Sequence, residues 1–398
     1  MEDLLMKKFA KLGVENAPGQ EKLQKKKELD IRGEKIDGPA VGFSHGAVAP
    51  FHPSPGSTEC FAPGVAAGGK RAYTEYRGGY DMRKDVAEKL SAFTGASIDP
   101  DKNIILTPGT QGALFLAIGS MAARGDKVAI VEPDYFANRK LAEFFECEIV
   151  PVPMDYFGVK DRAGIDLDRL EAVFQEGIRL FLFSNPNNPT GAVYSREEVL
   201  KIASLAKKYH VSLIVDELYS RQVFDGREYT HLCAQKEIPE EMVTIIGPSK
   251  TESLSGYRLG AAFGSEEVIT RMEKLQAIVS LRAAGYCQAV FRCWFNEPED
   301  FMEDRILAHQ KIRDDLVEKF KSVPGMQVRP TEAGSYLFPQ LPPMDVPIGD
   351  FTKILRQLAG VTVTPGTEFG PGFTDSFRIN FSQDHEKALA AADRLIQV

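Results

Sequence analysis

Short β-branched, apolar runs recur through the middle of the chain, at 127–132, 148–153, 178–183, 211–215, 242–246 and 259–263. Between two of them the period changes. Over 196–209, Val199, Ile202, Leu205, Ala206 and Tyr209 share one helical face, with Ser195 placed as a cap and the end near His210. Strands alternating with helices predict an α/β chain whose large domain carries a mostly parallel sheet covered by helices on both faces. Towards the C-terminus the pattern shifts to helical stretches at 266–295 and 300–321, followed by strand-like runs at 326–329, 335–338 and 377–381. That order predicts a smaller α+β domain. At the N-terminus, Leu4, Leu5, Phe9 and Leu12 stand among lysines, which suits a short amphipathic helix packed on the body or on a partner subunit.

Composition narrows the function classes. A length of 398 residues with 43% hydrophobic content allows two domains with substantial cores. A net charge of −8 argues against an extended nucleic-acid surface, while a few arginines in a cleft could still attract a small anion. The five cysteines (Cys60, Cys147, Cys233, Cys287, Cys293) are odd in number and form no Cys-x-x-Cys pair, so they read as reduced thiols of a cytoplasmic protein. No apolar window reaches the length of a signal peptide core or a membrane span, and Lys25, Lys26 and Lys27 read as a solvated helix face. No His/Cys/carboxylate group has metal-ligand spacing, and neither a membrane nor a nucleic-acid partner is expected.

Candidate chemistry follows the strand runs. Gly247-Pro248-Ser249-Lys250-Thr251 places a lysine after the 242–246 run, with Arg258 eight positions later. A lysine amine can form a covalent imine with an aldehyde, and an arginine fork can hold a phosphate, a pairing that suits pyridoxal phosphate. Asn185-Pro186-Asn187-Asn188-Pro189-Thr190-Gly191 follows 178–183, Asp216-Glu217-Leu218-Tyr219 follows 211–215, and Thr107-Pro108-Gly109-Thr110-Gln111-Gly112 precedes a helical stretch from Ala113. All sit where an open parallel sheet collects its ligands.

In this order and spacing the four segments resemble the class I aminotransferases, the aspartate aminotransferase-like branch of the fold type I pyridoxal phosphate enzymes, from about Gly42 to Arg378. The resemblance implies a large cofactor-binding domain near 52–290. It also implies a small domain made of 291–398 with the N-terminal arm 1–51, and a homodimer with shared active sites. It makes Lys250 the Schiff-base lysine and proton carrier, Asp216 the partner of the pyridine nitrogen, and Tyr219 and Asn188 the ligands of the ring hydroxyl. Gly109, Thr110, Gln111, Ser249 and Arg258 would form the phosphate cup, joined by Tyr73 from the neighbouring subunit. Tyr135 would lie over the ring, or be an ordinary strand-end tyrosine. Arg378 would hold the substrate α-carboxylate, or make a structural salt bridge, with Gly46 and Asn188 beside it. Arg282 would reach the distal carboxylate of a dicarboxylic substrate across the interface, or be a helix-surface arginine. His45, His52 and Arg139 are further candidates for side-chain recognition. One departure stands out: Gly247 replaces the usual serine of Ser-x-Ser-Lys, so one phosphate hydroxyl is missing.

The reaction expected is amino-group transfer between an L-amino acid, aspartate or another dicarboxylic one first, and a 2-oxo acid such as 2-oxoglutarate. A lyase or decarboxylase on the same scaffold, or an aminotransferase for aromatic or neutral amino acids, stays open, because motifs around the cofactor do not separate these outcomes. A non-catalytic regulator would be expected to lack Lys250 or to carry a DNA-binding extension.

Overall fold

A computed structural model describes residues 3–13, 29–31, 33–44 and 50–398. Among them, twelve strands occur: β1 Val41–Gly42, β2 Ile104–Pro108, β3 Lys127–Glu132, β4 Glu148–Pro153, β5 Leu180–Ser184, β6 Ser212–Asp216, β7 Met242–Ile246, β8 Leu259–Gly264, β9 Tyr336–Leu337, β10 Val361–Thr362, β11 Thr364–Pro365 and β12 Phe377–Asn380. Seven form the central sheet in the order β2-β8-β7-β6-β5-β3-β4. Every neighbouring pair is parallel except those made by β8, which runs against both β2 and β7. The mostly parallel α/β sheet is as expected.

Burial explains the strand pattern. β5 and β7 are buried at every position, as strands covered on both faces must be. One face packs Phe181, Phe183, Val199, Ile202 and Val215 into a core, and the other packs Ile105, Leu114, Ile118, Ile214 and Val243. The helix Arg196–Tyr209 has the limits read from the sequence. Ser195 accepts from the Glu198 amide and Glu198 returns a bond to the Ser195 amide, a full capping box, and His210 closes the helix in the left-handed region. The helix Gly109–Met121 carries no polar stripe and lies between the sheet and the helix Glu266–Val279.

A second core gathers Val41 and Phe43 with Ile312, Leu316, Phe320, Leu337, Phe377, Ile379, Phe381 and Leu395. It is built on the antiparallel β11-β12-β9 sheet, the β1-β10 pair, and the helices Phe301–Lys321 and His385–Gln397. His309 is sealed there, its ring nitrogens within 2.8 Å of the Arg305 carbonyl and 3.0 Å of Ser382 Oγ, stacked on Phe51.

Three expectations change. The helix expected over 266–295 stops at Val279; Leu281 takes φ +63° and the chain resumes only as a 3-10 turn, Cys287–Arg292. Tertiary contact overrides the helical spacing, since a Cβ at Gly285 would sit 2.0 Å from the Arg71 carbonyl, so the chain there runs hard against the 71–72 backbone. The strand expected at 326–329 is only a single bridge, Gln327 to Gln340, and the one at 335–338 shortens to Tyr336–Leu337. At the N-terminus a helix spans Leu4–Ala10, with Phe9 edge-on to Phe144 at 6.4 Å and Lys8 over the same ring, while Leu4, Leu5 and Met6 face solvent. Lys25 to Lys27 lie outside the described residues.

The burial of His309 sets a pH dependence. Loss of hydration holds its imidazole down to about 4, against an ordinary 6.5, so protonation opposes folding. Its contribution is complete above pH 6.5 and is lost as pH falls towards 4. Urea unfolding at pH 7.5 and 4.5 should show His309→Gln losing about 2 kcal/mol less than wild type on acidification. Parallel losses in both proteins would refute this.

Candidate active site

The site lies along the edge where β2, β3, β5, β6 and β7 end. The reversal of β8 matters most here. Because β8 runs against β2, its first residue, Leu259, pairs with Pro108, the last residue of β2. Arg258 therefore arrives beside the turn that opens the helix Gly109–Met121, although the two are far apart in sequence. Glycine makes the approach possible: Gly109 has φ +74°, and a Cβ there would fall 2.5 Å from an Arg258 guanidinium nitrogen. A Cβ at Gly260 would fall 2.5 Å from the Thr110 amide nitrogen. The first turn of the helix has free amide groups and the positive end of its dipole.

Thr110, Gln111, Tyr135, Asn188, Asp216, Tyr219, Ser249, Lys250, Arg258 and Arg378 all line one cleft of about 190 Å³. Sequence-distant turns thus meet in one cleft. Asp216 accepts a hydrogen bond from the Leu218 amide (3.1 Å). Loss of hydration, with the nearby charge of Glu217, pushes its carboxyl up to about 6. Lys250 is moved the opposite way: loss of hydration holds its amine below the ordinary lysine range, with Arg378 and Arg258 adding to the effect against Tyr336.

Arg378, on β12, is 1% exposed. One guanidinium nitrogen donates to Asn188 Oδ1 (2.9 Å) and another to the Ser44 carbonyl (2.7 Å), while Nε has no partner among the described residues. Its plane lies over the Tyr336 and Phe369 rings at 4.2 and 4.7 Å. Among the described residues no carboxylate pairs with it, so the structural salt bridge held open above is not formed.

Gln111 turns its side chain to Tyr135, whose hydroxyl donates to Gln111 Oε1 (3.0 Å). Residues that the motifs did not single out hold the rest in place. Asp134 bonds the Ser184 hydroxyl and amide and the Tyr135 amide, and Ser184 Oγ accepts from the Asn188 amide (3.1 Å). Burial pushes the Asp134 carboxyl up to about 8. Tyr336 lines the cleft and meets the Tyr219 hydroxyl. Apart from the position of Asp134 between Pro133 and Tyr135, nothing local in the sequence marks these three.

Tyr73 and Arg282 are placed together but outside this cleft. Tyr73 is 79% exposed, and the Arg282 guanidinium lies 5.1 Å over its ring while donating to the Thr74 carbonyl. The His52 carbonyl accepts from Arg305, and Arg139 donates to the Thr367 and Glu368 carbonyls, so neither lines the cleft. Gly46 and His45 fall outside the described residues. The fold also brings Glu217, His231 and Cys233 within 4.8 Å of one another, with Glu217 and His231 bonded directly at 2.6 Å.

Gly247 has a packing reason. A Cβ there would lie 2.9 Å from the Thr110 methyl, 3.1 Å from Gly260 Cα and 3.2 Å from the Leu259 carbonyl. The space of the absent serine side chain is filled by the wall of the cup itself.

These features fit pyridoxal phosphate: a cup that any Cβ would fill, a partly buried carboxylate suited to a pyridinium nitrogen, an amine kept easier to deprotonate, and an arginine with an unsatisfied donor. Comparison with known proteins agrees. The family model described as aminotransferase class I and II matches residues 63–395. The solved structure of an aspartate aminotransferase from Rhodobacter sphaeroides 2.4.1 is 56% identical, covers 99% of this chain and 98% of its own, and has a TM-score of 0.92. The aspartate aminotransferase of Musicola paradisiaca is 28% identical over 370 residues, 92% of this chain and 91% of its own. An aromatic-amino-acid aminotransferase of Thermococcus litoralis is 25% identical over 327 residues, 82% of this chain and 83% of its own.

The Gly247 contact predicts that Gly247→Ala, far from restoring a lost group, costs about 1–3 kcal/mol in urea unfolding and weakens cofactor binding. Adding Thr110→Ser, which removes the methyl, should recover part of both. A variant as stable as wild type would show that the wall yields.

Proposed function

The chain belongs to the class I and II aminotransferases, and on that premise we propose that it transfers the amino group between a dicarboxylic L-amino acid, aspartate first, and a 2-oxo acid such as 2-oxoglutarate. It is a pyridoxal phosphate enzyme; when bound, the cofactor supplies an aldehyde that condenses with amines and a ring that accepts the electrons left at Cα. The observation that carries the reading is the convergence of Lys250, Asp216, Arg258 and Arg378 on one cleft.

The chain's own groups divide the work. Thr110, Ser249 and Arg258 would hold the phosphate at the start of the helix Gly109–Met121, with the glycine at 109 admitting the guanidinium. Asp216 would hold the positive charge at the ring nitrogen. Asn188 and Tyr219 would hold the ring oxygen, and Tyr135 would pack on the ring. Lys250, whose amine is held below the ordinary lysine range by loss of hydration and by two arginines, gives up its proton more readily than an exposed lysine, and its Nζ would take the Cα proton and return it. Arg378 receives the α-carboxylate in a planar fork whose position is fixed by Asn188, the Ser44 carbonyl and two aromatic rings.

Aspartate as first substrate is supported by the names of the Rhodobacter and Musicola relatives. Arg282 as the distal-carboxylate ligand is supported by its company: it shares an exposed surface with Tyr73, Ile278, Val279 and Leu281. That surface suits a homodimer in which Tyr73 and Arg282 complete the partner's cleft. The Thermococcus relative's name supports the aromatic alternative. The division into domains near 52–290 and at 1–51 with 291–398 belongs to the same proposal. It is supported by the second core, which draws on Val41 and Phe43 as well as residues beyond 300. No helix among the described residues is long and apolar enough to cross a membrane, and a cytoplasmic location is part of this reading.

Lys250→Ala should abolish the covalent cofactor band and lower turnover by at least about a thousandfold. If either survives, the assignment of Lys250 fails. With no acceptor added, aspartate or glutamate should convert the bound cofactor to its amine form, and Arg282→Ala should raise the aspartate KM by about tenfold or more without a comparable change for phenylalanine. Conversion by neutral or aromatic amino acids alone would sink the dicarboxylate assignment, and release of ammonia with pyruvate would favour the lyase.

A further inference from the structure

The hydroxyls of Tyr219 and Tyr336 lie 2.8 Å apart in the floor of the cleft, both residues buried, with their rings edge to face at 5.5 Å. The reaction as described above makes no use of Tyr336. A phenylalanine would fill the same volume, and a buried hydroxyl is costly unless it is paired. Its pairing is with a cofactor ligand.

The contact is rigidly framed. Tyr336 lies on β9 opposite Asn380 of β12, the strand that carries Arg378. The Arg378 guanidinium covers its ring at 4.2 Å. The turn before it is tied to the turn after Tyr219 twice: the Gly334 amide donates to the Gln222 carbonyl (2.9 Å), and Gln222 Nε2 donates to the Gly334 carbonyl (3.0 Å). Gly334 itself has φ +74°, and a Cβ there would sit 3.2 Å from the Tyr219 ring. The two turns that carry the tyrosines are therefore tied to each other beside the pair.

A phenol has one proton to give and lone pairs to receive. In the structure the Tyr219 hydroxyl donates to Tyr336 Oη (2.8 Å). If Tyr219 gives its proton to the cofactor's ring oxygen instead, the bond reverses and its own oxygen is left to accept the proton of Tyr336. Accepting a hydrogen bond polarises a hydroxyl and makes it a stronger donor. We infer that Tyr336 is a positioning residue for this reaction: with the cofactor bound, its hydroxyl turns to donate to Tyr219 Oη, and through Tyr219 it stabilises the ionised ring oxygen. The inference rests on the reading of Lys250 and Tyr219 given under the proposed function. The charged and titratable groups facing the pair are Arg378 and Tyr135 towards Tyr219, with Arg378, Arg258 and Tyr336 itself towards Lys250.

The test is a pH titration of the visible absorption of the cofactor-loaded protein, in wild type, Tyr336→Phe, Tyr219→Phe and the double variant. Loss of the Tyr336 hydroxyl weakens support of the anion, so the midpoint should rise by about half a pH unit. Tyr219→Phe should raise it further, and adding Tyr336→Phe to that background should leave the midpoint unchanged. A purely packing role would alter stability or cofactor affinity with the midpoint fixed. An unmoved midpoint in Tyr336→Phe, or an equal rise in both backgrounds, overturns the inference alone. A Lys250→Ala protein that keeps the wild-type band overturns the lysine assignment, and this inference with it.

Discussion

One reversed strand governs the site. Had β8 run parallel to its neighbours, Leu259 would sit at the far edge of the sheet and Arg258 would be a strand length away from Pro108. Its antiparallel pairing returns the chain to the edge where β2, β6 and β7 end, immediately after the lysine turn has left β7. Lys250 and Arg258 thus flank a single excursion at that edge. Gly109, Gly247 and Gly260 then allow the walls to approach to distances that any side chain would block. The cup is made by the absence of Cβ atoms as much as by the groups that face it.

That geometry forces unfavourable electrostatics on the chain, and the fold has to carry them. A carboxyl raised to about 6 at Asp216, another raised to about 8 at Asp134, a depressed lysine and a guanidinium with an orphaned donor sit within one region. Each is a cost in the cofactor-free chain. They are held in place by rigid neighbours: strands buried on both faces, the aromatic clamp on Arg378, and the Asp134–Ser184–Asn188 chain of hydrogen bonds. A ligand that brings a phosphate, a cationic ring nitrogen and an aldehyde relieves several of these strains together, so cofactor binding and local stability are linked.

Legibility in the sequence followed the range of the interaction that decided each feature. β3, β4 and β7 were readable to the residue, because burial of a strand is written in its own side chains, and the start of the helix Arg196–Tyr209 was fixed by the local cap Ser195–Glu198. The 266–295 stretch misled for the opposite reason: its helical spacing is real, but contact with the 71–72 backbone decides where the chain goes. Lys250, Asp216 and Arg258 were visible through motifs at strand ends. Tyr336 was not, since a tyrosine in a two-residue strand has no local signature and gains its meaning only from a hydroxyl distant in sequence. The same holds for Gly247, which looked like a loss from the motif and is a condition of its packing.

The surface bearing Tyr73 and Arg282 bears on how complete one chain is. An arginine whose guanidinium is stacked over an exposed tyrosine and bonded to a backbone carbonyl is oriented without being neutralised. Beside it, Ile278 is 82% exposed and Val279 and Leu281 are also open to solvent, next to the point where the helix Glu266–Val279 breaks. Apolar exposure at that point is costly for a solitary chain and useful at a subunit contact. On the dimer reading the break and the exposure have one cause: the segment leaves its own helix to bring an arginine against Tyr73 at the subunit contact. On the proposed dimer, the cleft within one chain would hold the cofactor and the α-carboxylate, while the distal end of a dicarboxylic substrate would be left to Arg282 of the partner subunit, which in one chain rests on Tyr73 and the Thr74 carbonyl.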